Sequence, residues 1–375
     1  MKTTELQYKI DPVRKVSELE SEWVKLSNMA ESGVFLSWEW ISNWANFVHN
    51  KLFLCTVRSS GLLVSMGLFT LVDVSRHRFM QVKQLRLHST GVPETDQIWP
   101  EYNGMLVHPG YEESVYGGLV SFLETTSFRW DELVIGPVTS EVFSMLKPFK
   151  LHAVELWQAP AYKVDFSNIP KPQAGYLESL SKNTRQQIRR SMNHYRKEGE
   201  LNISRASTKA EAIEFFDSLG VIHRQRWGEK SGFQNPLFTR FHLLMIERCH
   251  DSGTVELLKL EANGKVLGYL YNFIFCNTAF FYMSGICSST INKLKPGLVF
   301  HSLCIDRYIE GGLNGYDFLG GDSQYKRSLS NHRESLEINS LQKPMLKFFV
   351  ERGARQLKAS VMRTLKLIKA VYRNE

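Results

Sequence analysis

The chain has 375 residues, of which 43% are apolar and 12% aromatic, and its formal net charge is +8. This composition is typical of a globular protein with a hydrophobic core and excludes an intrinsically disordered one. The five cysteines follow no CxxC or zinc-ligand spacing, so we expect reduced thiols in a cytoplasmic protein and no metal site. The N-terminal residues lack the apolar core of a signal peptide, and Asn272 and Asn277 interrupt the apolar stretch 266–286. Secreted, disulfide-rich and transmembrane classes are therefore not expected.

The positive charge is concentrated in two segments. Residues 1–170 carry a net charge of −4, residues 171–230 carry +5, residues 231–343 carry +1, and residues 344–375 carry +6. Because both positive segments have helical patterns, the sequence indicates two candidate surfaces for anionic partners.

In the first half, residues 16–29 predict a helix, and Trp40, Trp44 and Phe47 have the spacing of one buried helix face. Strands are predicted at 52–58, 62–74 and 79–87, a helix at 111–125, and a buried strand at 130–136. The stretch 91–103 is interpreted as a loop.

A loop at 168–175, with two prolines and a glycine, predicts a boundary between an N-terminal domain, 1–168, and a second domain, 169–343. Helices are then predicted at 176–198, 209–227, 236–249 and 297–310, and strands at 254–260, 265–275, 279–286 and 316–321. The Asn263-Gly264 pair predicts a type I′ hairpin turn. The tail, 344–375, predicts a basic amphipathic helix.

The two halves repeat one order of features: a hairpin with a glycine turn, a Pro-Gly pair at a helix start, and a strand that begins with an aromatic residue and aspartate. The pairs are Ser60-Gly61 and Asn263-Gly264, Pro109-Gly110 and Pro296-Gly297, and Trp130-Asp131 and Tyr316-Asp317. The shared order favours a duplication, and two generic α/β units with common turn chemistry are the alternative.

The two Pro-Gly helix starts differ in charge. Glu112 and Glu113 follow the first and would repel an anion. Lys293 and Lys295 precede Pro296, and neutral residues follow the second Pro-Gly pair. A helix N-terminus with unpaired N–H groups and this charge suits a pyrophosphate. An ordinary helix start beside two solvated lysines is the alternative.

Five segments of the second half carry a family resemblance. They are SLSKNTRQQIRRSMNHYRKEG, HRQRWGEKSGF, KLKPGLVFHSL, YDFLGG and DSQYKRSLS. Together they resemble the GNAT acyltransferase superfamily, and within it the CelD-like or FemAB-like acetyltransferases. The resemblance implies an α/β (α+β) fold of two GNAT-like domains, each a mixed central sheet flanked by helices. The second domain would be catalytic, and the first, degenerate one would lie on the acceptor side.

The resemblance also implies where an acyl thioester would bind, namely between two diverging strands. The implied donor-binding residues are Met283, Ser284, Gly285, Lys293, Leu294, Lys295, Pro296, Gly297 and Leu298. Backbone amides around Met283–Gly285 would meet the oxyanion, and the turn Leu294–Leu298 would hold the pyrophosphate.

Four side chains are implied as catalytic candidates. Tyr325 would protonate the leaving thiolate, Lys326 would support the oxyanion, and Asp322 is the nearest carboxylate for the base. His223 is a further candidate, for which a hydrogen-bonded core histidine is the favoured alternative. For Asp322 a turn cap, for Tyr325 a packed aromatic ring and for Lys326 a solvated charge remain open.

The predicted function is transfer of an acyl group from acyl-CoA to an amine of an amino sugar, amino acid or envelope precursor. Acetyl is the first candidate for the acyl group. The phosphate turn has one glycine where GNAT proteins have R/Q-x-x-G-x-G/A, so a carrier-protein thioester and aminoacyl-tRNA remain open as donors. The alternatives are a Fem-like transferase that uses aminoacyl-tRNA and a non-catalytic GNAT-like binding module. The tail is expected to pack on the protein, with anionic lipid and then RNA as the next candidates, so the predicted location is cytoplasmic or peripheral at the inner membrane face.

Overall fold

The computed structural model describes residues 5–30, 32–49, 51–146, 150–169, 175–289, 291 and 293–356. These residues form one mixed sheet flanked by helices, which confirms the predicted α/β class. The strands are β1 (Leu6–Pro12), β2 (Leu52–Ser59), β3 (Leu62–Arg76), β4 (Met80–Leu87), β5 (Leu106–Val107), β6 (Glu132–Thr139), β7 (His152–Asp165), β8 (Leu201–Arg205), β9 (Val255–Ala262), β10 (Lys265–Phe275), β11 (Thr278–Ile286), β12 (Gly315–Gly320) and β13 (His332–Gln342). The helices are α1 (Glu20–Ser27), α2 (Trp38–Asn46), α3 (Pro93–Asp96), α4 (Glu112–Glu124), α5 (Ser140–Met145), α6 (Lys182–Glu198), α7 (Lys209–Trp227), α8 (Pro236–Cys249), α9 (Pro296–Glu310), α10 (Gln324–Leu329) and α11, described over 346–356.

The same strand order is built in each half. Strands β1 to β4 pair antiparallel in sequence, and β4 then pairs parallel to β6 over Gln84–Arg86. Strands β8 to β11 repeat this meander, and β11 pairs parallel to β12 over Thr278–Phe280. Helices α4 and α9 precede the parallel strands β6 and β12. The repeated order of hairpin, helix and strand in the sequence therefore corresponds to a repeated topology.

The final strand of each half lies in the sheet of the other. Strand β7 follows β6 in the chain but pairs with β12, where Asp165 is opposite Gly315. Strand β13 follows β12 but pairs with β6, where Leu341 is opposite Leu133. The two exchanged strands also pair with each other, so the sheet is continuous. The domain boundary at residue 168 stays a prediction.

Local signals place several elements where the sequence predicts them. Asn263 and Gly264 have φ values of 49° and 72°, which confirms the type I′ turn. Trp40 and Trp44 are buried on α2, in a core that extends to Phe241 of α8. This core joins the two halves.

Two predicted helices differ from the structure at their ends. The helix predicted at 176–198 begins at Lys182, because the Ser181 hydroxyl accepts the N–H of Thr184 and caps it. The tail is helical from 346 to 356, and the rest of the predicted tail helix, 357–375, lies outside the described residues. None of the helices in the described part of the chain is both long and apolar enough to span a bilayer.

Candidate active site

A gap opens between β11 and β12 because the two strands pair over only three positions. Beyond Phe280, β11 continues beside β10 as far as Ile286, whereas Gly320 at the end of β12 pairs with Ala161 of β7. A cavity of about 500 Å³ occupies this gap. Ten of the predicted site residues line it: His223, Met283, Ser284, Leu294, Lys295, Pro296, Gly297, Leu298, Tyr325 and Lys326. The geometry therefore brings most of the predicted site together.

Gly285, Lys293 and Asp322 do not line the cavity. Gly285 faces α7, where an added Cβ would lie 2.9 Å from the Leu219 carbonyl oxygen, so the glycine allows close packing. The carbonyl of Lys293 accepts a hydrogen bond of 2.9 Å from Arg190.

The turn before α9 is held by the basic helix α6. Besides Arg190, Ser191 of α6 accepts the backbone N–H of Lys295 at 3.0 Å. Pro296 is the first residue of α9, and no acidic side chain lies in the first turn. The helix N-terminus therefore meets the cavity with the positive end of its dipole. This is the environment that an anionic group requires.

The end of β12 has an unusual backbone. Leu319 has a φ of 61°, a left-handed conformation that costs a non-glycine residue about 1–3 kcal/mol. Its N–H donates to the carboxylate of Asp317 at 2.7 Å, which holds the conformation. As a result, the Leu319 and Gly320 carbonyls accept hydrogen bonds from the ammonium of Lys326, at 3.2 and 2.5 Å. The strained residue thus lies beside the buried ammonium of Lys326.

Lys326 is buried, and its burial lowers the pKa of the ammonium, against the opposing effect of the nearby carboxylates of Glu101 and Asp317. Two backbone carbonyls and these acidic neighbours compensate the charge. The ammonium is a fixed donor at the cavity wall.

Glu101 is a site residue that the sequence analysis missed. It lies in the first half, between α3 and β5, and its carboxylate accepts the backbone N–H of Gly320 inside the cavity. Burial raises the pKa of Glu101 to about 7, although the hydrogen bond from Gly320 and the charge of Lys326 oppose the shift. A carboxylate with this pKa is suited to take up a proton near neutral pH. The contact joins residues 219 positions apart, and the segment 91–103 reads only as a loop.

Tyr102 fixes the segment that carries Glu101. Its hydroxyl lies 2.8 Å from Asp317 and 3.0 Å from Glu334. Burial raises the pKa of Asp317 to about 6. The first half therefore contacts β12 on both sides of the Leu319 bend.

Tyr325 and His223 both line the cavity. The ring of Tyr325 stacks on His301 with centroids 5.4 Å apart, and burial raises its pKa to about 12. Its hydroxyl therefore keeps its proton at neutral pH. His223 is hydrogen-bonded to Ser231 at 2.8 Å, and burial together with Arg226 lowers its pKa to about 4. It is therefore neutral at pH 7.

Asp322 is an exposed residue outside the cavity. It is hydrogen-bonded to the Tyr162 hydroxyl at 3.0 Å and to Arg327. These bonds, that from Tyr162 first, lower its pKa and weaken it as a base. Its role as base stays a prediction, and Glu101 is a carboxylate within the cavity. Among the described residues, no cluster of three or more His, Cys, Asp or Glu side chains is arranged to hold a metal ion.

Residues 182–327 match the model of the family described as "Acetyltransferase (GNAT) domain". The whole fold is similar to that of FemX, with 11% identity, a TM-score of 0.58, and coverage of 88% of this chain and 96% of that one. It is also similar to the C-terminal domain of a putative lysylphosphatidylglycerol synthetase from Agrobacterium fabrum, with 8% identity, a TM-score of 0.54, and coverage of 93% and 97%. A conserved protein of unknown function from Bacteroides thetaiotaomicron has 10% identity, a TM-score of 0.54, and coverage of 89% and 100%.

Among curated proteins none matches this chain. The predicted resemblance to the GNAT superfamily is confirmed by the family match, and the fold is shared with FemX.

Proposed function

From the GNAT domain at residues 182–327, we propose that this protein is an N-acyltransferase that moves an acyl group from acyl-CoA to an amine. The observation that carries the proposal is the cavity between β11 and β12. It has a helix N-terminus without acidic residues on one side and the Glu101 and Lys326 side chains on another. An anionic thioester donor and a reacting amine require these two environments.

The donor's diphosphate would bind at the turn Leu294–Leu298 and the N–H groups of α9. Its thioester would lie between the diverging strands, near the backbone of Met283 and Ser284. The apolar side chains of Phe281 and Phe318 line the same cavity and would contact the acyl chain, which we take to be acetyl.

In the reaction, the amine nitrogen forms a bond to the thioester carbon, and the carbon–sulfur bond breaks. Glu101 takes the proton that the amine loses, and Tyr325 gives a proton to the leaving thiolate. Backbone amides of Met283 and Ser284 and the ammonium of Lys326 stabilise the negative oxygen of the intermediate. The fixed positions of these groups remove part of the entropic cost of bringing two substrates together.

His223 and Asp322 have secondary places in the proposal. The hydrogen bond to Ser231 orients the neutral imidazole of His223 at the cavity wall, where it contacts substrate. Asp322 is the alternative base, outside the cavity.

The acceptor would be an amine of an amino sugar, an amino acid or an envelope precursor. The exposed rings of Trp99 and Trp227 line the cavity and offer apolar surfaces to such a molecule. A cytoplasmic location is part of the proposal, because acyl-CoA is a cytoplasmic donor. Arg185 and Arg189 of α6 are paired with Glu178, which favours a structural role for these two arginines over tRNA binding.

Calorimetric titration with acetyl-CoA tests the donor. The wild-type chain should bind it, and Gly297→Asp should weaken binding by at least about tenfold, because the new carboxylate would lie where the diphosphate binds. Gly353→Asp on α11, with open space around the Cα, is the matched control and should bind as the wild type does. Absence of binding by the wild type, with salt-sensitive binding of aminoacyl-tRNA in its place, would contradict the proposal and favour the Fem-like alternative.

A further inference from the structure

Helix α11 is held on the β3–β4 hairpin by charged side chains. The ammonium of Lys347 donates to the carboxylate of Asp131 and to the carbonyl of Gln81, both at 2.7 Å. The buried carboxylate of Glu351 pairs with Arg76 at 3.3 Å. Two charged side chains of this helix, Lys347 and Glu351, therefore lie on its inward face.

The outward face of α11 is apolar. Leu346 is 78% exposed, Phe349 55% and Val350 63%. Phe348, by contrast, is buried against Met80 of β4. A surface helix ordinarily turns its apolar stripe towards the core and its charges towards water. Here Lys347 and Glu351 lie on the inward side, whereas three large apolar side chains lie outside.

The tip of the β3–β4 hairpin adds a fourth exposed apolar residue. Phe79 is 82% exposed and follows Arg78. Its neighbours on the hairpin contact α11, since His77 lies 3.2 Å from Glu351 and Met80 packs on Phe348. We refer to Phe79, Leu346, Phe349 and Val350 as the apolar patch. It comes from two elements that are fixed to each other.

The charge of this region is complementary to an anionic surface. Residues 344–375 contain eight Lys or Arg and two Glu. The guanidinium of Arg352 lies 4.6 Å from the centroid of the Phe349 ring, at the border of the patch. In sequence, the apolar spacing continues at Leu357, Val361 and Leu365, which lie outside the described residues.

We propose that the apolar patch is a docking surface for an anionic lipid bilayer. Exposed Phe, Leu and Val side chains would enter the boundary between headgroups and acyl chains. The exposed Arg78 and Arg355, together with Arg352 at the border of the patch, would face lipid phosphates. A second copy of the chain is a poorer occupant, because it would bring two segments of charge +6 together. Nucleic acid is also a poorer occupant, since Leu346 and Val350 contribute nothing to phosphate contacts. The inference does not depend on the proposed acyl transfer.

Flotation of the full chain with lipid vesicles tests the surface. We expect it to float with vesicles that contain both phosphatidylcholine and phosphatidylglycerol. With vesicles of phosphatidylcholine alone, we expect it to remain in the bottom fraction. Raising the salt to about 1 M, where the screening length is about 3 Å, should weaken the association. Failure to float with the anionic vesicles overturns the proposal.

The variant Leu346→Ser/Phe349→Ser/Val350→Ser should lose roughly tenfold or more of the vesicle binding, because each removed side chain contributes burial in the bilayer. Phe79→Ser, on a different element, should give a smaller loss of vesicle binding. It replaces the triple variant as the test if the triple variant folds poorly. Leu62→Ser and Leu244→Ser, at residues 47% and 36% exposed outside the patch, are controls and should bind as the wild type does.

Two results would identify another occupant and reject the lipid. If the triple variant floats unchanged but converts a dimer into a monomer in sedimentation, the patch binds a second copy. If it floats unchanged but loses RNA binding in a gel-shift assay, the patch serves nucleic acid.

Discussion

The two halves of the molecule have the same gap between parallel strands, and they use it differently. In the second half, β11 and β12 diverge and leave a cavity of about 500 Å³. In the first half, β4 and β6 also pair over only three positions. There Asn103 fills the gap, since its N–H donates to Pro137 at 2.6 Å and its side-chain amide to the carbonyl of His88 at 3.2 Å.

The helices that precede β6 and β12 also differ between the two halves, in the charge of their first turns. Helix α4 has Glu112 and Glu113 in its first turn, whereas α9 has no acidic residue there. The dipole of α4 is therefore neutralised by the chain itself, and that of α9 is left for a ligand.

The filled gap contributes to the open one. Asn103 comes directly after Glu101 and Tyr102, which contact β12 of the second half. The segment that closes the first gap thus supplies a carboxylate to the second. One short segment, 101–103, therefore closes the gap in the first half and places a carboxylate in the cavity of the second.

Among the variants that test this comparison, Glu101→Gln should have the largest effect on the rate of acyl transfer. We expect kcat for acyl transfer to fall by about 10²–10⁴, the usual contribution of a general base. In the wild type, the rate should fall as the pH drops through about 7, because the carboxyl of Glu101 is then protonated. Steady-state rates over a range of pH would measure both effects.

The control for this variant is Glu94→Gln, at an exposed position of the same segment, 91–103. It should keep the wild-type rate and the wild-type pH dependence. An unchanged acid limb in Glu101→Gln would assign the titration to another group.

Lys326→Met should lower kcat by about 10², the range measured when one oxyanion donor is removed. The exposed neighbour Arg327→Met is the control and should have little effect. If thermal unfolding shifts while kcat of the folded variant is retained, Lys326 is a structural support of β12 and not a catalytic group.

Tyr102→Phe removes the hydroxyl between Asp317 and Glu334. We expect the free energy of unfolding to fall by about 1–3 kcal/mol, because two carboxylates lose their shared partner. The rate should fall by less than in Glu101→Gln, since the carboxylate of Glu101 remains. Chemical denaturation measures the first effect, and Tyr111→Phe in the first half is the control. Equal stability of the two variants would show that Tyr102 does not hold the segment 91–103 in place.

Asp322→Asn should have the smallest effect, with kcat lowered by no more than about threefold, because the side chain is exposed and outside the cavity. The same rate assay compares it directly with Glu101→Gln. A larger loss in Asp322→Asn than in Glu101→Gln would assign the base to the second half and leave the first without a catalytic group.

The parts of this structure that follow from neighbouring residues were predictable. The Asn263-Gly264 turn and the start of α9 at Pro296 depend on local backbone preference and charge. The turn Leu294–Leu298 and Lys326 were also placed in one site, because they lie within contiguous motifs that carry the family resemblance.

The contacts between the halves were not predictable in this way. Glu101 meets Gly320 across 219 positions, and its raised pKa results from burial that no local pattern records. The pairing of β7 with β12 likewise depends on which edge is open after the rest of the sheet has formed. Asp322 was favoured because it is the nearest carboxylate in sequence, and nearness in sequence did not place it in the cavity.

The exchange of β7 and β13 has a consequence for folding during synthesis on the ribosome. Strand β13 ends at Gln342, and until it emerges β6 lacks its antiparallel partner. The first half, although synthesised before β13, therefore carries an open strand edge until β13 is available. Neither half can close its sheet alone, so completion of the sheet waits for β13, and a product that ends before β13 leaves both halves unfinished.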